Sequence, residues 1–207
     1  GLTRAELSVL ISYSKIDLKE QLLKSLVPDD DYLTRDMETA FPPSLVSKFA
    51  EAMRRHRLKR EIVSTQIAND LVNNMGITFV QRMKESTGMS AANVAGAYVI
   101  VRDVFRLPHW WQQIEALDYQ VPAELQLTLM DELMRLGRRT TRWFLRNRRT
   151  ELDAARDVAH FAPRVEALAG RLDELLDGPV REQWLARFQG YVEAGTPEAL
   201  ARVVAGT

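Results

Sequence analysis

Cysteine is absent from all 207 residues, which removes disulfide scaffolds, thiolate zinc sites and cysteine nucleophiles at once. An excess of either charge is also missing: Lys plus Arg and Asp plus Glu number 28 each, and the formal net charge is zero. A dedicated nucleic-acid binder usually carries a basic surplus, so the balance argues against that class while leaving room for a local basic stripe. Long apolar runs are lacking too. The longest, AGAYVIV at 95–101, ends at Arg102 and Asp103, far short of the roughly 18 residues that cross a bilayer. No signal peptide opens the chain, so a cytoplasmic address and no membrane partner are expected. The first residue is Gly1, not Met, and a helix start follows at once. A piece of a longer polypeptide is therefore expected.

Chemical signatures are equally sparse. No two of the ten glycines stand in G-x-G spacing, so neither a dinucleotide fingerprint nor a phosphate-cradling Walker loop is present. There is no G-x-S-x-G elbow. His56, His109 and His160 lie far apart and outside any metal-binding spacing. The Asp29-Asp30-Asp31 run could attract a divalent cation, but it follows Pro28, where aspartates cap turns. His109-Trp110-Trp111 could be a stacking platform; adjacent tryptophans more often divide between a core and an interface. Trp110 and Trp111 are therefore candidate interface aromatics. No catalytic, cofactor-binding or metal-binding residue is assigned.

What the sequence does contain is helix. Thr3 and Glu6 in TRAE form a capping box, and behind it Leu7, Leu10, Ile11, Ser14, Leu18, Leu22 and Leu26 share one face. Gly76 and Gly88 sit where helix-ending glycines belong, Ser90 is an N-cap, and Pro108, Pro122, Pro179 and Pro197 each precede or open a helical stretch. No strand-like alternation occurs, and Asp177-Gly178 runs into Pro179 instead of a hairpin. The spacing predicts an all-α, multi-helix bundle of about eight to ten helices, with one long helix near 122–149.

Two basic runs need separate readings. Arg54, Arg55, His56, Arg57, Lys59 and Arg60 are nearly consecutive, so at about 100° per residue they scatter around a helix axis and make no face. Val63, Ile67, Ala68, Leu71, Val72 and Met75 then cover more than half of the circumference, as a central helix requires. The run reads as a charged start to a core helix. In the long helix, by contrast, Arg135, Arg138, Arg139, Arg142, Arg146 and Arg149 fall within an arc of about 100°. Leu125, Leu129, Leu133, Leu136, Trp143 and Phe144 take the other side, and Asp131 can pair with Arg135 at i, i+4. Three uses are compatible with this stripe: solvated surface suited to the helix dipole, a docking face for carboxylates, or a phosphate or nucleic-acid site of salt-sensitive, sequence-blind character.

Several segments in fixed order carry a resemblance: GLTRAELSVLISYSKIDL (1–18), FPPSL (41–45), HRLKREIVSTQIANDLVNNMGITFVQRM (56–83), AYVIVRDVF (97–105), IEALDYQVP (114–122) and RTTRWFLRNRR (139–149). Together they resemble the C-terminal region of the large bacterial NAD-specific glutamate dehydrogenases, over residues 1–150. Ala5 stands where proline is expected. Residues 151–207 carry no such resemblance and read as an additional helical segment, able to pack on the first or to stand apart. The resemblance implies a parent enzyme that oxidatively deaminates L-glutamate to 2-oxoglutarate and ammonium with reduction of NAD, its catalytic and dinucleotide-binding parts lying upstream. This stretch is then expected to be inactive alone and to hold no cofactor. Its expected partners are the upstream catalytic domain and further copies of the parent, and its role assembly, positioning or regulation. The alternative is a helical anion- or nucleic-acid-binding module using the arginine stripe.

Overall fold

The computed structural model describes residues 1–148 and 152–207. Among them are eleven α-helices, two 3-10 segments and no strand, so the all-α expectation holds. The helices are α1 (Arg4–Leu23), α2 (Pro43–Arg54), α3 (Lys59–Met75), α4 (Phe79–Thr87), α5 (Ala91–Val104), α6 (Leu107–Glu115), α7 (Ala123–Asn147), α8 (Ala154–Ala169), α9 (Leu172–Leu175), α10 (Gly178–Glu193) and α11 (Glu198–Ala205). They divide into two compact units: Gly1–Val99 with Thr141–Ala155, and Ile100–Thr140 with Arg156–Thr207. Both units draw on residues from either side of position 150.

The first unit is organised by α3. Val63, Ile67, Ala68, Leu71, Val72 and Met75 are all buried, and α1, α4 and the 3-10 segments Val27–Asp29 and Leu33–Ala40 pack on this helix. Its apolar breadth is satisfied by neighbours on several sides. Gly76 closes it at φ +86°, a conformation that side chains with a Cβ resist.

The basic run is not the continuous helical start that its position suggests. α2 ends at Arg54, and the backbone turns through residues 55–58 before α3 begins. The Leu58 N–H donates to His56 Nδ1 at 3.1 Å, a local side-chain bond that competes with helix propagation. Arg54 and Arg55 pair with Glu51 at 3.6 and 2.7 Å. Arg60 pairs with Asp29 and donates to the Leu23 and Ser25 carbonyls at 2.8 and 3.1 Å, closing the carboxyl end of α1.

α1 opens with the expected capping box: the Glu6 N–H donates to Thr3 Oγ1 at 3.3 Å and the Thr3 N–H to Glu6 Oε2 at 2.7 Å. Its leucine face is buried over only part of its length. Leu18 and Leu22 are enclosed at 3% and 0% exposure, whereas Leu7 and Leu10 remain 42% and 40% exposed. Leu26 leaves the face entirely because the helix stops at Leu23, where Ser25 Oγ donates to the Leu22 carbonyl at 2.6 Å.

In the second unit α11 packs on α10 and α6. Leu107, Trp111 and Ile114 of α6, Leu129 and Leu133 of α7, and Leu200, Ala201 and Val204 of α11 are buried. Arg202 spans a stacked Trp184–Phe188 pair, 5.5 Å from each ring, and reaches Asp173 at 3.3 Å. The guanidinium over two ring faces adds cation–π attraction to an ion pair.

Candidate functional site

α7 carries the candidate stripe, and its arginines meet two fates. Within the second unit, Arg135 reaches Asp131 at 3.1 Å and Glu132 at 3.3 Å, and Arg138 reaches Asp131 at 3.4 Å. Arg139 donates to the Thr207 carbonyl at 3.1 Å. The centre of this network is Glu132, buried at 9% exposure. Its carboxylate also pairs with Arg187 of α10 at 3.2 Å and accepts from Thr207 Oγ1 at 2.9 Å. Arg187 in turn donates to the Val204 carbonyl at 3.2 Å. A carboxylate removed from water needs this density of donors, and the result ties α7, α10 and the end of α11 together.

Within the first unit, Arg142 and Arg146 are exposed. Among the described residues neither has an ion pair or hydrogen bond. They stand four residues apart, one turn along the helix. Arg149 lies outside the described residues. Trp143, placed by its spacing with the leucines, is 47% exposed and meets Phe144 edge-on at 5.2 Å. It falls at the margin of the apolar arc, where helix rotation turns it outward.

The tryptophan pair is divided. Trp111 is buried at 5% exposure within the second unit, while Trp110 is half-buried and packs edge-on against His109 at 4.7 Å. Only Trp110 of the two presents surface. Two of the three adjacent aspartates are spent on structure: Asp29 pairs with Arg60, and Asp30 Oδ1 accepts from the Tyr32 and Leu33 amides at 2.9 and 3.0 Å. Among the described residues no three His, Cys, Asp or Glu side chains are grouped to hold a metal ion. In the first unit a pocket of ≈ 80 Å³ is lined by Ser14, Gln21, Gly76 and Lys84 among others, and a shallow, open apolar recess of ≈ 430 Å³ by Leu2, Ala5, Glu6, Val9 and Leu10. No helix of the described residues is long and apolar enough to cross a membrane.

Sequence reasoning missed Glu132, Arg187 and Thr207. Glu132 had a local signal: it stands three residues before Arg135, at the border between the arginine and leucine arcs. Arg187 and Thr207 had none, because both join the network across long sequence separations.

The family model described as "Glutamate dehydrogenase, C-terminal" matches residues 1–207. The chain belongs to this family. It is 83% identical over 207 residues to the NAD-specific glutamate dehydrogenase of Pseudomonas aeruginosa, covering 100% of this chain and 13% of the relative. The protein of the same name from Halomonas elongata is 52% identical over 205 residues, 99% of this chain and 13% of the relative. That from Mycobacterium tuberculosis is 35% identical over 204 residues, 97% and 12% respectively. The chain thus spans about an eighth of the length of these relatives, and the likeness reaches through residues 151–207, where the motifs alone showed none.

Proposed function

We propose that this chain is the helical, non-catalytic C-terminal part of an NAD-dependent glutamate dehydrogenase and acts in assembly, positioning or regulation of its catalytic core. The parent reaction is oxidation of L-glutamate with NAD and water to 2-oxoglutarate, ammonium and NADH. The observation that carries this reading is full-length similarity to a minor, terminal portion of relatives named for that activity. The Glu132 network supports a structural task, since its donors and acceptors are engaged with one another. NAD then belongs to the parent enzyme, upstream of these residues, and the parent works as a homo-oligomer.

The test is glutamate-dependent NADH formation by the complete polypeptide and by a form lacking these 207 residues, with mass read by light scattering. Loss of activity and mass together identifies an assembly element. Retained mass with altered turnover or cofactor response identifies a regulatory one. An unchanged enzyme overturns the proposal.

A second reading rests on Arg142 and Arg146, exposed and one turn apart. They suit a phosphate or acidic partner, bound with strong salt dependence. Retention of labelled nucleic acid on filters at low salt, lost on changing both residues to Glu, supports it; no retention at low salt removes it.

A further inference from the structure

α1 is apolar on two opposite sides, and only one of them is used within its unit. Leu18 and Leu22 point one way and are enclosed at 3% and 0% exposure. Val9, Tyr13 and Ile16 fall within an arc of about 60° on the far side of the helix, and Leu2 lies just before its Thr3 N-cap. Leu2, Val9, Tyr13 and Ile16 are 63%, 53%, 68% and 51% exposed. Ser8 and Ser12, beside this stripe, donate their hydroxyls to the carbonyls of Arg4 and Ser8, both at 2.9 Å. The hydroxyl donor of each is thus taken up inside the helix. The capping box fixes the helix start, so the stripe is presented on a formed helix.

We propose that this outward stripe of α1 docks on the catalytic part of the longer polypeptide that precedes the chain. The inference rests on the function proposed above and names the surface that carries it. Two observations select this occupant over a second copy. In the Pseudomonas aeruginosa relative the matched stretch is 13% of the molecule, and the family is defined as C-terminal. Most of such a polypeptide therefore lies upstream. The stripe is also small: the four side chains expose on the order of 400 Å², against about 800 Å² per partner in a stable interface between free proteins. A covalent tether supplies an effective concentration in the millimolar range and lets a face of this size hold.

The test uses the complete polypeptide with Tyr13 replaced by the photo-crosslinking residue p-benzoylphenylalanine, irradiated, proteolysed and mapped by mass spectrometry. Crosslinks are expected to join α1 to an upstream peptide of the same molecule, with no doubling of mass on a denaturing gel. Adding Val9→Glu and Ile16→Glu is expected to lower the crosslinked fraction at least about tenfold, since burial of apolar surface drives the contact. Crosslinks to a second copy overturn the proposal in favour of self-association, and absence of any crosslink overturns it outright. An upstream crosslink combined with turnover unaffected by the Glu pair leaves docking standing and removes its positioning role. Altered turnover without an upstream crosslink removes the docking and leaves the role.

Discussion

Arg135 and Arg142 occupy equivalent places on α7, two turns apart on one stripe, yet only the first is engaged. Asp131 and Glu132 stand four and three residues before Arg135, and Glu132 is itself held by Arg187 and Thr207. The residues three and four before Arg142 are Arg139 and Arg138, which offer no carboxylate. The same residue type at the same helical phase is therefore structural in one unit and available in the other. An arginine's role is set less by the face it lies on than by which acids that face also carries.

The largest effect separating the two sides of α7 is expected from its apolar side. Leu133 has no exposed surface, and Leu133→Ala is expected to cost about 3 kcal/mol, read as a lowered urea midpoint of the 207-residue chain. Glu132→Ala comes next. Breaking a fully buried pair costs about 3–5 kcal/mol. Arg187 is 38% exposed and able to rehydrate, so about 2 kcal/mol is expected after solvent screening. Arg187→Ala in the Glu132→Ala background should then add little, and independent additive losses would show that the two do not act as a pair.

Asp131→Asn tests the exposed half of the engaged cluster. Asp131 and Arg135 are 53% and 43% exposed, and a loss under about 1 kcal/mol is expected. Arg142→Glu with Arg146→Glu should lower stability by no more than about 1 kcal/mol, the part due to Arg146 coming from the helix dipole in the last turn of α7. In the complete polypeptide the same pair is expected to alter mass or turnover if this end of the stripe is a docking face. A stability loss equal to that of Glu132→Ala would break the contrast between the two groups of arginines.

The smallest effect belongs to the start of α1. The Thr3 backbone N–H, and after it the Thr3 hydroxyl, hold the Glu6 carboxyl below its usual value. A lowered carboxyl pKa favours the folded helix start above the unfolded value of about 4.5 and ceases to do so as pH falls through the lowered value. A small loss of helical signal below about pH 4.5, absent in Glu6→Gln, is expected by circular dichroism.

Residue order was enough to establish the all-α class, the α1 capping box, the core face of α3 and the alignment of arginines on α7. Each depends on residues within a few turns of one another, where helical period and capping chemistry act locally. It read the basic run as a charged and ion-paired helix end, as found, but not the break at residues 55–58, where the Leu58 N–H turns to the His56 ring, because residue spacing does not encode that backbone geometry. Tertiary structure alone decided that Glu132 is buried and that Arg187 and Thr207 answer it. It also decided that Trp111 is enclosed while Trp110 is not, and that α1 keeps a second apolar side uncovered. Those outcomes depend on which distant segments arrive beside a given face. A periodic pattern records that a face is apolar or charged and carries no information about what covers it.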